Sequence, residues 1–144
     1  MRTEELFDEA EKLERLGKRD EALQFYTQFI EDASIRLKNL NDQNERSALQ
    51  KKLGLAYNNR GFILYQKVDF DEAINDYTRG LGCDQHMSFT FYNRGLIHYR
   101  LGRFDEAISD MKQALSIDPE FESAQICLKQ SMDDLNKRKT NIHT

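Results

Sequence analysis

The chain has 144 residues, of which 39% are hydrophobic and 32% charged, with one proline, no tryptophan and seven glycines. That mixture is too apolar for a disordered chain and too polar for a membrane protein. It is also too poor in helix breakers for a β fold with many turns, so it predicts long helices in a single domain. Twenty-five acids against twenty-one bases leave a net charge of −4, the wrong sign for a chain whose main ligand is nucleic acid.

The chain opens on MRTEELFDEAEKL, which is charged throughout and has no apolar stretch of the kind a secretory signal carries. Residues 3–36 predict a pair of helices broken at Leu16-Gly17. Residues 37–53 set Leu37, Leu40, Leu49 and Leu53 around a polar break at 39–44. They predict a lengthened helix on each side of a turn, with a mobile loop as the alternative. Two stronger copies of a 34-residue pattern follow at 54–87 and 88–121, aligning without a gap. Asn59/Asn93, Arg60/Arg94, Gly61/Gly95, Ile63/Ile97, Ala73/Ala107, Asp76/Asp110 and Leu81/Leu115 all stand 34 residues apart. In the last copy Phe91, Arg94, Gly95 and His98 recur every three or four residues, which is helical spacing. Leu101-Gly102 closes that helix with a glycine suited to a left-handed cap. Ala107, Met111, Ala114 and Leu115 form the stripe of the next helix, and Asp118-Pro119 stops it. Residues 16–22 repeat the pattern of 101–107, which makes 3–36 a first, weaker copy. Gly80 and Gly82 predict a loose end to the helix before residue 87. Residues 121–137 predict a capping helix through Phe121, Ala124, Leu128, Met132 and Leu135, and 138–144 a flexible tail. The domain is thus read as 1–137.

This pattern resembles the tetratricopeptide repeat, whose signature also has a period of 34. The third copy fills the family's slots with Phe91, Arg94, Gly95, His98, Ala107, Met111 and Pro119. The second gives Tyr57, Arg60, Gly61, Leu64, Ala73 and Tyr77, and the first Leu6, Glu9, Ala10, Leu13, Ala22 and Tyr26. Gln85 and Ser34 stand where proline is usual. The resemblance implies an all-α fold, an α-solenoid of three helix-turn-helix repeats and a C-terminal capping helix wound as a right-handed superhelix. It implies a concave face lined by the first helix of each repeat. Carried over slot by slot, that face presents Asn58, Asn59, Phe62 and Tyr65, with Leu55 and Gln66 beside them. The third repeat adds Phe89, Tyr92, Asn93, Leu96, Tyr99 and Arg100. The first repeat adds Glu4, Phe7, Asp8, Glu11 and Glu14, and the cap adds Ile126 and Cys127. Rings interleaved with amides suit an extended peptide or a helix. Some members of the family hold the acidic C-terminus of chaperones in a clamp of lysines, arginine and asparagines. At those slots stand Phe7, Glu11, Asn59, Phe89 and Asn93, and the cations are missing, so an acidic chaperone tail is disfavoured.

Arg60 and Arg94 occupy a slot that is usually leucine, and Asp76 and Asp110 follow each of them by 16 residues. The first repeat lacks both partners, so the pattern predicts ion pairs Arg60–Asp76 and Arg94–Asp110. Catalytic chemistry finds no support. His98 falls on a packing slot, His86 in a turn and His143 in the tail, and no phosphate loop or metal spacing is present. Cys83 and Cys127 match no metal or redox motif and fit a reducing compartment, with one disulfide as the alternative. The expected protein is a cytoplasmic, non-enzymatic adaptor, with the nucleus also open. It needs no cofactor, metal, nucleic acid or membrane, and it binds a protein or peptide partner. The alternative is a self-associating subunit of a larger assembly.

Overall fold

The computed structural model describes residues 1–142, so His143 and the end of the expected tail lie outside the described residues. Those residues form seven helices, α1 Thr3–Arg15, α2 Arg19–Asn39, α3 Gln43–Gln66, α4 Phe70–Cys83, α5 Ser88–Arg100, α6 Phe104–Ile117 and α7 Glu122–Ile142. They fall into two compact units, Met1–Gln85 with α1–α4 and His86–Thr144 with α5–α7. No helix among the described residues is long and apolar enough to cross a membrane.

Three helices end on the same turn. After α1, Gly17 lies at φ 78° and the Lys18 N–H donates to the Leu13 carbonyl at 2.9 Å. After α5, Gly102 lies at φ 75° and the Arg103 N–H donates to the His98 carbonyl at 2.8 Å. A left-handed residue at this point satisfies helix carbonyls that otherwise lack a donor. After α3 the same turn is made by Val68 at φ 63°, with the Asp69 N–H donating to Leu64 at 2.9 Å. A β-branched residue is strained there.

The N-terminal unit is built on Phe7, Tyr26 and Phe29, which are buried and meet edge to face. Leu13, Ala22, Ala33, Leu53, Ala56 and Ile63 close around them. α2 runs on to Asn39 and α3 begins at Gln43, so only residues 40–42 between them lie outside helix. The break is short because both helix ends are capped. Asp42 accepts the Glu45 N–H at 2.9 Å, and the Arg46 guanidinium donates to the carbonyls of Leu37 and Leu40. α4 lies so close to α3 that a Cβ on Gly61 would meet the Tyr77 ring at 2.8 Å. The glycine slot is therefore a packing requirement. Gly80 and Gly82 do not end α4 early, since it stays helical to Cys83.

In the C-terminal unit the same close approach recurs, and a Cβ on Gly95 would meet Asp110 and Met111 at 2.9 Å. Met111, Ala114, Ala124 and Cys127 form its buried centre. α7 does not stop at Lys137 but continues to Ile142. Arg138 accounts for part of this: its guanidinium donates to the Gly102 carbonyl at 2.9 Å and lies 4.4 Å from the centre of the Phe104 ring. Those contacts tie the last turns of α7 to the α5–α6 turn.

Candidate partner-binding site

Both expected ion pairs form. Arg60 donates through Nε and Nη2 to the two oxygens of Asp76 at 2.7 and 2.8 Å. Arg94 does the same to Asp110 at 2.9 and 2.7 Å. Both carboxylates are buried, and each guanidinium also lies over a ring of its own helix, Tyr57 or Phe91. Asp76 receives a third donor, Arg79, at 3.0 Å. Arg60 further donates to the Thr27 hydroxyl of α2 at 3.3 Å, so one side chain ties α2, α3 and α4 together. Its bonds to Asp76 hold the Arg60 guanidinium charged, pushing its pKa above the ordinary arginine value.

On the other side of α3 a second polar link forms. The Tyr26 hydroxyl donates to Glu14 of α1 at 2.7 Å and accepts from the Asn59 amide at 3.2 Å. Burial, then the Glu14 carboxylate, raises the Tyr26 pKa far above the usual phenol range, so the hydroxyl keeps its proton. Asn59 is thereby oriented, and its own oxygen accepts from the Asn58 amide at 3.3 Å.

The residues expected on the concave face divide into two kinds. In the N-terminal unit Phe62 is 38% exposed, and its ring stacks on Tyr65 with centroids 6.1 Å apart. Tyr65 in turn leans on Phe70 at 5.8 Å. Asn59 is half-buried and Gln66 exposed beside them. Asn58, however, is buried, which corrects its assignment to an open face. Phe7 is likewise core rather than surface, and the Lys52 ammonium lies 4.8 Å over its ring. Asp8 is exposed on α1, and Glu11 is half-buried.

In the C-terminal unit Phe89 is 41% exposed and Arg100 is exposed. Asn93 is half-buried. Tyr92, Leu96 and Tyr99 are half-buried and pack against the cluster that α6 and α7 complete, so they are less open than a groove lining suggests. Tyr92 packs on Phe121 at 5.0 Å, and the Tyr99 hydroxyl donates to Asp134 of α7 at 2.6 Å. That bond draws the Asp134 carboxyl below its usual range. The capping helix explains the difference: it covers side chains that a bare third repeat would leave open. Of the cap residues, Ile126 is exposed and Cys127 buried.

Sequence reasoning missed the Glu14–Tyr26–Asn59 link. Tyr26 sits at an expected packing slot, and nothing in the spacing shows that its hydroxyl needs two partners once buried. Cys83 and Cys127 are free thiols, and burial raises both above the usual thiol value. Among the described residues no group of three histidine, cysteine or acidic side chains is placed to hold a metal.

Residues 88–121 match the family model described as "Tetratricopeptide repeat". No curated protein sequence matches the chain. Among solved structures, the tetratricopeptide domain of OM64 from Arabidopsis superposes with a TM-score of 0.70 at 21% identity, covering 90% of this chain and 93% of that one. The C-terminal tetratricopeptide-containing domain of a putative FK506-binding protein from Plasmodium falciparum gives 0.78 at 16% identity, with 96% and 91% covered. The first tetratricopeptide domain of Spaghetti (RPAP3), bound to the HSP90 peptide SRMEEVD, gives 0.72 at 19% identity, with 93% of each chain covered. With seven helices among the described residues and a third repeat that fits the family's model, the chain has the all-α fold of tetratricopeptide-repeat proteins.

Proposed function

We propose that this chain is a non-enzymatic protein-interaction module that holds a peptide or helix against its first-of-pair helices. The observation that carries the reading is the aromatic platform of the N-terminal unit. Phe62 stands open to solvent while stacked on Tyr65, which is itself backed by Phe70. A ring left exposed but already fixed by its neighbours loses little freedom on binding and offers a large apolar contact. Asn59, oriented by Tyr26, adds an amide one turn away. In the C-terminal unit Phe89 offers a second exposed ring.

The fitting partner carries an apolar anchor and basic residues, because Asp8, Glu11 and Glu14 line the same side of α1 that joins α3 through Tyr26. The bound neighbour takes an acidic peptide, SRMEEVD. Here the slots of a clamp for such a tail hold Phe7, Glu11, Asn59, Phe89 and Asn93, and the cations it needs are missing.

The test is fluorescence anisotropy with two sets of labelled peptides. One is an SRMEEVD peptide, and the other is drawn from a random library selected on the intact chain. The selected peptides should be enriched in basic and apolar residues. Phe62→Ala should weaken them about tenfold or more, the loss of an aromatic anchor worth about 2 kcal/mol, with the helical circular dichroism unchanged. Unchanged affinity overturns the platform, and tighter binding of SRMEEVD than of any basic peptide overturns the charge assignment.

A further inference from the structure

His98 stands on the α5 slot that holds Leu13 in α1 and Leu64 in α3. Its Nδ1 is buried and has no hydrogen-bond partner. Its carbonyl accepts the Arg103 N–H that closes α5, so the ring stands one turn before the α5–α6 turn. The charged groups that face it are Asp110 and Glu106 of α6, Arg94 of its own helix and Arg103 of the turn. Both oxygens of Asp110 are already bonded to Arg94 at 2.9 and 2.7 Å.

We propose that His98 is an acid-sensitive latch in the C-terminal unit: a proton on the buried Nδ1 finds no acceptor, and α5 loosens from α6 in mild acid. In the folded chain the ring is neutral with its hydrogen on Nε2, and Nδ1 is a bare acceptor that tolerates burial. Adding a proton to Nδ1 creates a buried charged donor, which is far costlier than a buried bare nitrogen. The two acids favour the charged ring and the two arginines oppose it, but burial is the largest influence and holds the His98 pKa below its usual value.

The sign follows from that direction. The unfolded imidazole takes its proton near pH about 6.5, and the folded one only at lower pH. The stability that His98 contributes is therefore present above about pH 6.5 and lost as the pH falls from there toward the folded value. Below that value no more is lost. Within this window the unfolded state holds at most one proton more than the folded state, so the unfolding constant rises by at most about tenfold per pH unit from this group.

The experiment compares urea unfolding of the full chain and of His98→Leu between about pH 7.5 and 5.5, above the range where ordinary carboxylates titrate. Leucine already serves at this slot in two other helices, so the variant keeps its packing. The wild-type unfolding constant should rise severalfold more than that of His98→Leu across the window. Equal pH dependence of the two proteins overturns the proposal. An NMR titration of the wild-type imidazoles gives a second, independent readout. His98 should show an unprotonated Nδ1 at neutral pH and titrate below the ordinary imidazole value of about 6.5. A His98 midpoint at or above about 6.5 overturns the proposal as well.

Discussion

Replacing Arg94 by leucine, the usual residue at its slot, removes the bidentate partner of Asp110 and leaves a carboxylate 6% exposed in its side chain. The lost bonds are short, 2.9 and 2.7 Å, and both go to charged groups. Stripping one member from a buried pair costs about 3–5 kcal/mol, far above the 1 kcal/mol or less of an exposed pair. Arg60→Leu should cost less, near the lower end of that range, because Asp76 keeps Arg79 at 3.0 Å. The position matching Arg79 in the third repeat is Gln113, which carries no charge. The double variants Arg60→Leu/Asp76→Leu and Arg94→Leu/Asp110→Leu should return most of the lost stability, since apolar replacement of a whole buried pair is often neutral or better. Urea denaturation followed by circular dichroism measures all of these, and each set forms a double-mutant cycle. Single variants that lose less than about 1 kcal/mol would refute the reasoning, because the pairs would then behave as surface contacts. Double variants as unstable as the singles would refute it too, since the cost would then lie in lost volume.

Val68→Gly should raise stability by roughly 1 kcal/mol by relieving the left-handed turn that Gly17 and Gly102 make without strain, measured as a higher urea midpoint with unchanged slope. Gly61→Ala should cost about 1–3 kcal/mol, because its Cβ would enter the Tyr77 ring at 2.8 Å. Gly82→Ala should do the reverse and stabilise by up to about 1 kcal/mol, since nothing lies within 4 Å of its Cβ. Arg138→Ala should let the end of α7 fray, read as faster amide hydrogen exchange after Lys137 while the amides of α5 and α6 stay protected.

What could be read from the sequence was whatever two copies of the repeat share. Gly61 and Gly95 recur because two helices meet at those atoms, and the meeting recurs with them. The ion pairs were legible for the same reason: Arg60 with Asp76 and Arg94 with Asp110 appear together, and the first repeat lacks both. What could not be read depends on neighbours that no copy repeats. Phe7 looked like a face residue by its slot, but Lys52 of the stretch between the repeats lies over its ring and Leu53 packs in the same core. Tyr92 and Tyr99 looked open by their slots, but Phe121, next to α7, packs on the first and Asp134 of α7 bonds the second, and α7 follows no repeat rule. The left-handed Val68 escaped notice because its residue type gives no sign of its conformation.

The departures from the family's usual residues also bear on how α3 presents the aromatic platform. α3 is fixed from two sides, by Arg60 reaching Asp76 and Thr27 and by Asn59 reaching Tyr26. These two residues are adjacent in sequence and so point about 100° apart around the helix axis. A rotation of α3 that would re-aim Phe62 must therefore break charged hydrogen bonds on one side or the buried phenol link on the other. A leucine at position 60 would fill the same space without that directional hold, because apolar packing tolerates small rotations that a bidentate pair does not. The arginine–aspartate pair thus contributes to orientation even where its net contribution to stability is small. Preorganising an exposed ring in this way lowers the cost of ordering it when a partner binds.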